Sequence, residues 1–196
     1  MLTAVTGINW GDEGKGRVID LLAENADVVV RYQGGNNAGH TVVAKQQKFV
    51  LNLLPSGILH ENVICVLGDG MVVDLEHLTN EIAQIREKGV VVTPNNLKLF
   101  KRATISMPWH KIQDELEETR LAKTGAAFGS TKRGIAYAYS DKYRKKTLRL
   151  GDLLHLKEES VQNRLKMMLE AKNLELAGCY YEMVKHFCNI HTEKNH

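Results

Sequence analysis

The chain has 196 residues, of which 43% are hydrophobic and 25% charged, proportions that exclude a disordered chain. That length suffices for one domain whose core needs neither disulfides nor metals. Lys and Arg number 26 against 23 Asp and Glu, and the resulting +3 is too small to argue for nucleic acid or a membrane surface.

In chain order, residues 2–7 form a short apolar run ending in Gly7 and predict a buried strand. Residues 15–24 carry Val18, Ile19, Leu21 and Leu22 and predict a helix. Residues 27–32 are rich in β-branched side chains and predict a strand. Residues 41–44 and 48–52 flank Lys45-Gln46-Gln47 as a hairpin with weak turn chemistry. Residues 63–67 predict another buried strand, ending at Gly68-Asp69-Gly70. Leu75, Leu78, Ile82 and Ile85 then repeat at helical spacing until Gly89. A strand is expected at 103–106, and Pro108 starts a helix carrying Trp109, Ile112 and Leu116. Residues 123–147 read as irregular and basic. Val161, Leu165, Met168 and Leu169 mark a last amphipathic helix. Strands alternating with helices predict an α/β fold with a mostly parallel sheet.

Three cysteines (Cys65, Cys179 and Cys188) cannot close a disulfide framework, and Cys65, in an apolar strand, reads as inert core. No run approaches the roughly 18 apolar residues of a transmembrane helix. The N-terminus shows no basic, then apolar, signal-peptide pattern. A soluble, reduced, cytoplasmic protein is expected.

The glycines are unevenly spread: ten of the 16 fall in residues 1–70 and two after residue 150. Glycine crowding marks backbone that turns sharply or approaches a ligand, so chemistry is expected in the first third. Gly7-Ile8-Asn9-Trp10-Gly11-Asp12-Glu13-Gly14-Lys15-Gly16-Arg17 sits where a strand gives way to a helix. Glycines there let backbone N–H groups face an anion at the helix N-terminus, and Lys15 adds a point charge for a phosphate oxygen. The segment departs from a P-loop in its longer glycine spacing and in Gly16, which stands where a hydroxyl would hold Mg²⁺. Asp12 is the alternative oxygen donor. A plain strand–turn–helix junction is the competing reading. A second cluster, Gln33-Gly34-Gly35-Asn36-Asn37-Ala38-Gly39-His40-Thr41, follows the second strand at its C-terminal end, where ligands of open α/β sheets collect. His40 alone reads as a loop histidine; beside Asp12 and Lys15 it is a candidate electrophile or general acid.

Trp10-Gly11-Asp12-Glu13-Gly14-Lys15-Gly16 resembles the signature of the adenylosuccinate synthetase family, and residues 34–41 resemble its second motif. Further likenesses are Leu54-Pro55-Ser56-Gly57-Ile58, Gly68-Asp69-Gly70 with Asp74, Arg133-Gly134-Ile135, and Ala138-Tyr139 with Asp141-Lys142. Their order and spacing fit from residue 2 to about 155 and fade over the final twenty or so. The resemblance implies P-loop-like nucleotide-binding loops in a fold truncated relative to the family's. It implies GTP-dependent ligation of IMP and L-aspartate to adenylosuccinate through 6-phosphoryl-IMP; a truncated, catalytically incompetent nucleotide-binding fragment is the alternative. By the same likeness the catalytic residues are Asp12, Lys15 and His40. GTP would be lined by Gly11, Asp12, Glu13, Gly14, Lys15, Gly16, Arg17, Gly39, His40 and Thr41. IMP would be lined by Asp12, Glu13, Gly14, Lys15, Asn37, Ala38, Gly39, His40, Thr131 and Lys145. Mg²⁺ would be held by Asp12 and the Gly39 carbonyl.

Some positions depart from the family pattern. Its usual T-T-G-R-G-I-G-P-A-Y loop is here Ser130-Thr131-Lys132-Arg133-Gly134-Ile135-Ala136-Tyr137-Ala138-Tyr139. The arginine that the family passes to a neighbouring subunit's IMP phosphate aligns with Lys145, beside Arg144; lysine keeps the charge without the bidentate fork. An intersubunit cation implies a homodimer. The basic stretch 131–149 otherwise reads as a solvated face or a nucleic-acid contact. Residues 1–155 are the expected catalytic part, and 156–196 an amphipathic helix and divergent tail. Cys179, His186, Cys188, His191 and His196 lack zinc-ligand spacing, so the tail reads as an ordinary C-terminus.

Overall fold

The computed structural model describes residues 1–8, 14–44 and 47–172. In chain order these form α1 (Lys15–Ala23), β1 (Val28–Gly34), β2 (His40–Ala44), β3 (Gln47–Leu51), β4 (Ile64–Val73), α2 (Leu75–Glu87), β5 (Leu97–Leu99), β6 (Thr104–Ile105), α3 (Pro108–Ala122), α4 (Ile135–Tyr143) and α5 (Glu159–Ala171). The expected α/β class holds. β4 lies between β1 on one side and β5 and β6 on the other, every pairing parallel. β2 and β3 form a separate antiparallel ribbon, as the hairpin reading anticipated.

Three sequence expectations need correction. Residues 2–7 are not a strand: they are almost wholly exposed and join none of the described strands. A run with only three apolar residues buries too little surface to hold a strand in place by itself. Gly68-Asp69-Gly70 does not end β4, which runs on to Val73. The register against β1 slips between Arg31 and Gln33, and a Cβ at Gly70 would fall 2.1 Å from the Tyr32 carbonyl oxygen. These glycines serve a bulge rather than a turn. The third correction is α4, which lies within the stretch read as irregular. Its alternating Ile-Ala-Tyr-Ala-Tyr hides a helical period, and tertiary contacts fix it instead. Asp114 on α3 accepts from the Gly134 amide at 2.8 Å, at the residue that caps α4.

The core gathers Leu51, Leu53, Leu54, Cys65, Leu67 and Met71 with Leu78 and Ile85 of α2, and α5 adds Val161, Leu165, Met168 and Leu169 to the same cluster. Burial pushes the Cys65 thiol up to about 12, which makes it the inert core residue expected. Two buried polar devices tie elements together. The Glu81 carboxylate of α2, 4% exposed, accepts the amides of Asn52, Leu53 and Leu54 at 2.8, 2.9 and 3.2 Å. Between α3, α4 and α5, Asp141 accepts from His110 Nε2 at 3.1 Å and Lys172 Nζ at 2.7 Å. His110 Nδ1 in turn accepts the Met107 amide at 3.0 Å, which assigns the ring proton to Nε2.

Burial lowers the His110 pKa below its ordinary 6.5, Asp141 opposing and Lys172 assisting. Burial works to raise Asp141, but hydrogen bonds from His110 and Lys172 outweigh it and hold the carboxyl below its ordinary 3.8. In both cases the unfolded chain binds protons that the folded chain refuses, so stability rises with pH. The His110 contribution is complete above the ordinary histidine value and is lost as pH falls through the folded one. Thermal melts should therefore drop from pH 7.5 to pH 5.5, and His110→Asn should flatten that part of the profile; an unchanged slope would contradict the assignment. Glu81→Ala, which strands three amides, should cost about 3 kcal/mol in urea unfolding, and Glu81→Gln less, since it keeps one acceptor oxygen. A loss under about 1 kcal/mol for the alanine variant would refute that role for Glu81.

Candidate functional site

The two glycine clusters meet at His40. α1 opens after Gly14, which is left-handed at φ 76°, and Gly16 lies in its first turn. A Cβ on Gly16 would fall 2.7 Å from His40 Cβ, so the histidine at the start of β2 rests on bare helix backbone. Any larger residue at position 16 would push the two loops apart. Burial lowers the His40 pKa below its ordinary 6.5; Arg31 adds to that shift and Asp20 opposes it. The ring is thus neutral near pH 7, and its buried Nε2 has no hydrogen-bond partner among the described residues. A helix N-terminus carries partial positive charge and unpaired N–H groups. With Lys15 and Arg17 beside it, this corner suits an anion, and an anionic oxygen would satisfy the orphaned imidazole nitrogen.

The second loop is braced by residues of β1 and α4 and by Asp74 and Asn52, just before α2 and just after β3. The Gly34 amide donates to the Tyr139 hydroxyl at 2.8 Å, and that hydroxyl donates to the Gly70 carbonyl at 2.8 Å. Arg31 donates to the Gly35 carbonyl at 2.8 Å and also to the Asn52 carbonyl. Buried Asn36 donates to Asp74 at 3.0 Å; Asp74 also caps α2 through the His77 amide and pairs with Lys111 at 2.7 Å. Asn52 Nδ2 donates to the Ala38 carbonyl at 3.3 Å and occupies the space a Gly39 Cβ would take. The loop tip, Asn37, Ala38 and Gly39, is left exposed on a fixed base.

A third segment approaches through α4. Ile135 closes on Gly35, and Lys142 donates to the Asp69 carbonyl at 2.8 Å. Thr131, before α4, and Lys145, after it, are both exposed. Two carboxylates of α3 shape the loop that carries Thr131. Glu118 accepts the amides of Gly129 at 2.6 Å and of Phe128 and Ser130 at 3.3 Å, and Asp114 accepts from the Ser130 hydroxyl at 2.6 Å.

The family model described as adenylosuccinate synthetase matches residues 4–195. The chain belongs to the adenylosuccinate synthetase family. The match runs well past residue 155, where the motifs legible by eye end. Adenylosuccinate synthetases of Halothermothrix orenii and Carboxydothermus hydrogenoformans are 47% and 49% identical over 176 and 174 residues, which is 90% and 89% of this chain. Those stretches are 40% and 39% of the two relatives, so the chain spans about 40% of the length of the curated relatives it matches. Among solved structures, fully ligated adenylosuccinate synthetase from Plasmodium falciparum superposes with a TM-score of 0.72 at 39% identity, over 89% of this chain and 39% of that one. The cyanophage S-2L succinoaminodeoxyadenylate synthetase, bound to dGMP and dATP as an energy donor, superposes at 0.56 and 26% identity, over 79% and 41%.

Against the residues expected for an adenylosuccinate synthetase, the structure brings Gly16 to His40, with Gly14, Lys15 and Arg17 beside Gly16 at the start of α1, Thr41 next along β2, and Asn37, Ala38 and Gly39 just before His40. Gly11, Asp12 and Glu13 lie outside the described residues, as do Cys179, His186, Cys188, His191 and His196. Among the described residues no three His, Cys, Asp or Glu side chains cluster as a metal site. No described helix is long and apolar enough to cross a membrane. Sequence reasoning missed Arg31, Asn52, Lys111 and Glu118. Arg31 left a signal, a lone charge inside an apolar strand; the other three act through partners distant in sequence.

Gly16→Ala should disturb His40 without unfolding the chain: an NMR titration of the wild-type ring should give a midpoint below 6.5, and the variant should move it toward the ordinary value. A wild-type midpoint at or above 6.5 would contradict the buried, neutral imidazole.

Proposed function

We propose that this chain carries the nucleotide-phosphate and phosphoryl-transfer part of an adenylosuccinate synthetase, taking GTP, IMP and L-aspartate to adenylosuccinate, GDP and phosphate. The observation that carries the reading is the seat of His40 on the Gly16 backbone, which joins two anion-suited loops in one corner. Residues 1–155 would form the catalytic part, with 156–196 as an appended helix and tail.

The chemical obstacle is that the 6-oxo group of IMP is a weak nucleophile and a poor leaving group. Asp12 would take the N1 proton, which puts electron density on O6. O6 then bonds to the γ-phosphorus of GTP as the bond to the bridging oxygen breaks and GDP leaves. The aspartate amine next attacks C6; the C6–O6 bond breaks, inorganic phosphate leaves, and the amine gives up a proton. Gly14, Lys15, Gly16 and Arg17 would hold phosphate oxygens through backbone N–H groups and side-chain charge. His40, neutral by virtue of its burial, would donate from Nε2 to the phosphoryl oxygen on which charge builds. Asn37, Ala38, Gly39 and Thr131 would line IMP, and Thr41 with Gly39 the GTP side.

One carboxylate and one main-chain carbonyl, Asp12 and Gly39, fit Mg²⁺, a hard cation that takes its other oxygens from phosphates and water. When bound it would neutralise charge on the phosphate oxygens. Lys145, exposed beyond α4, would reach the IMP phosphate of a second subunit, so the working species would be a homodimer, placed in the cytoplasm. A second reading, nucleotide binding without turnover, is favoured by one fact: the chain spans about 40% of its relatives' length.

The test is a coupled assay with all three substrates, alongside calorimetric titration of IMP and GTP. Adenylosuccinate should form, and Asp12→Asn should lower its rate at least about 100-fold. Binding without product selects the second reading. Neither binding nor product would refute both.

A further inference from the structure

At the end of α4 the chain reverses through Lys145, which is left-handed at φ 59°. The Lys146 amide donates back to the Asp141 carbonyl at 2.8 Å and the Lys145 amide to the Lys142 carbonyl at 3.1 Å, the pattern of a Schellman turn. Glycine ordinarily fills the left-handed position of that turn, because a Cβ strains it. The reversal brings Arg144 and Lys146, on either side of Lys145, to one cavity of about 190 Å³. Gln113 of α3, Met168 and Ala171 of α5, and Lys172 just beyond α5 complete its lining, and Lys145 takes no part in it.

The polar side chains that line this cavity offer donors and no free acceptor. Gln113 Oε1 accepts from Lys172 Nζ at 3.3 Å, which leaves the Nε2 protons of the amide. Lys172 gives a second proton to the buried Asp141 carboxylate at 2.7 Å and keeps a third. The Arg144 and Lys146 side chains have no ion-pair partner among the described residues. Charge points the same way. Lys172 and Asp141 cancel. Cations at helix C-termini answer the partial negative charge there, about half a unit for each helix. Arg144 and Lys146 bring two full charges to the ends of α4 and α5, about one more than those ends call for. Met168 and Ala171 supply an apolar wall, beside which charged hydrogen bonds are less screened. A ligand that only accepts, carries more than one negative charge and presents several oxygens to a guanidinium fork and two ammonium groups is a phosphate.

We propose that this cavity binds a phosphate dianion, free or as a small phosphate monoester. It lies about 13 Å along α4 from Ile135, the residue that meets Gly35, and is therefore a separate site from the corner at His40. The inference does not depend on the ligase reading, since none of the lining residues serves that reaction.

The test titrates sodium phosphate into the ¹⁵N-labelled full chain at low ionic strength, with sodium chloride at matched ionic strength as the reference. The amides of Lys146, Met168 and Ala171 should move together along one saturating curve, distinct in midpoint from that of Gly14 to Arg17. Arg144→Ala and Lys146→Ala, both at exposed positions, should each weaken the cavity curve at least about tenfold and leave the Gly14 to Arg17 curve unchanged. Lys166→Ala, which removes an exposed cation of α5 outside the cavity, should change neither curve. A parallel titration with ribose 5-phosphate identifies the source: a tighter midpoint than inorganic phosphate assigns a monoester, and one no tighter assigns free phosphate. Chloride that reproduces the cavity shifts, shifts confined to Gly14 to Arg17, or a cavity curve indifferent to both alanine substitutions would overturn the proposal.

Discussion

The site depends on a close approach that only a glycine permits. His40 lies against the first turn of α1 at Gly16, with no room for a methyl group between them. That contact fixes where β2 begins relative to the helix N-terminus, and it takes the imidazole far enough from water to keep it neutral. A neutral ring donates one hydrogen bond without adding a full charge. The positive field comes instead from the helix end and from Lys15 and Arg17. Under the proposed function the site would separate two tasks: attraction of phosphate by charge, and response to developing charge by a positioned donor.

The rest of the fold holds that contact in place. The loop between β1 and β2 hangs from Arg31 on β1, Tyr139 on α4, Asp74 just before α2 and Asn52 just after β3. Glu81 then ties Asn52 to α2, and the His110–Asp141–Lys172 set ties α4 to α3 and α5. Where such a group is buried, as at Glu81, Asp74 and Asp141, breaking its hydrogen bonds leaves a desolvated donor or acceptor behind.

Much of this was legible in the sequence. The β-branched run at 27–32 and the Leu75–Leu78–Ile82–Ile85 period reported local burial, so β1 and α2 fall where the pattern put them. The motifs at residues 10–16 and 34–41 carry the family resemblance, and Gly16 and His40, which meet in the structure, belong one to each. What failed did so for non-local reasons. Residues 2–7 have a strand-like composition but pair with none of the described strands. The glycines at 68 and 70 read as a turn because their reason, the passage of Tyr32, lies on another strand. α4 has no clear helical period and exists through contacts with α3 and the Gly34–Gly35 loop. Lys111 and Glu118 were invisible as site-shaping residues because a surface-like lysine or glutamate on a helix looks the same whether or not a distant loop needs it.

The central claim is that the start of α1 and His40 form one anion site. Titration of GTP into ¹⁵N-labelled chain, followed by amide shifts of Gly14 to Arg17 and by the His40 ring, tests it most directly. The account predicts that both sets move together along one binding curve, with the His40 pKa rising toward its ordinary value as a phosphate oxygen accepts from the ring. Shifts confined to one set, or two curves of different midpoint, would contradict it.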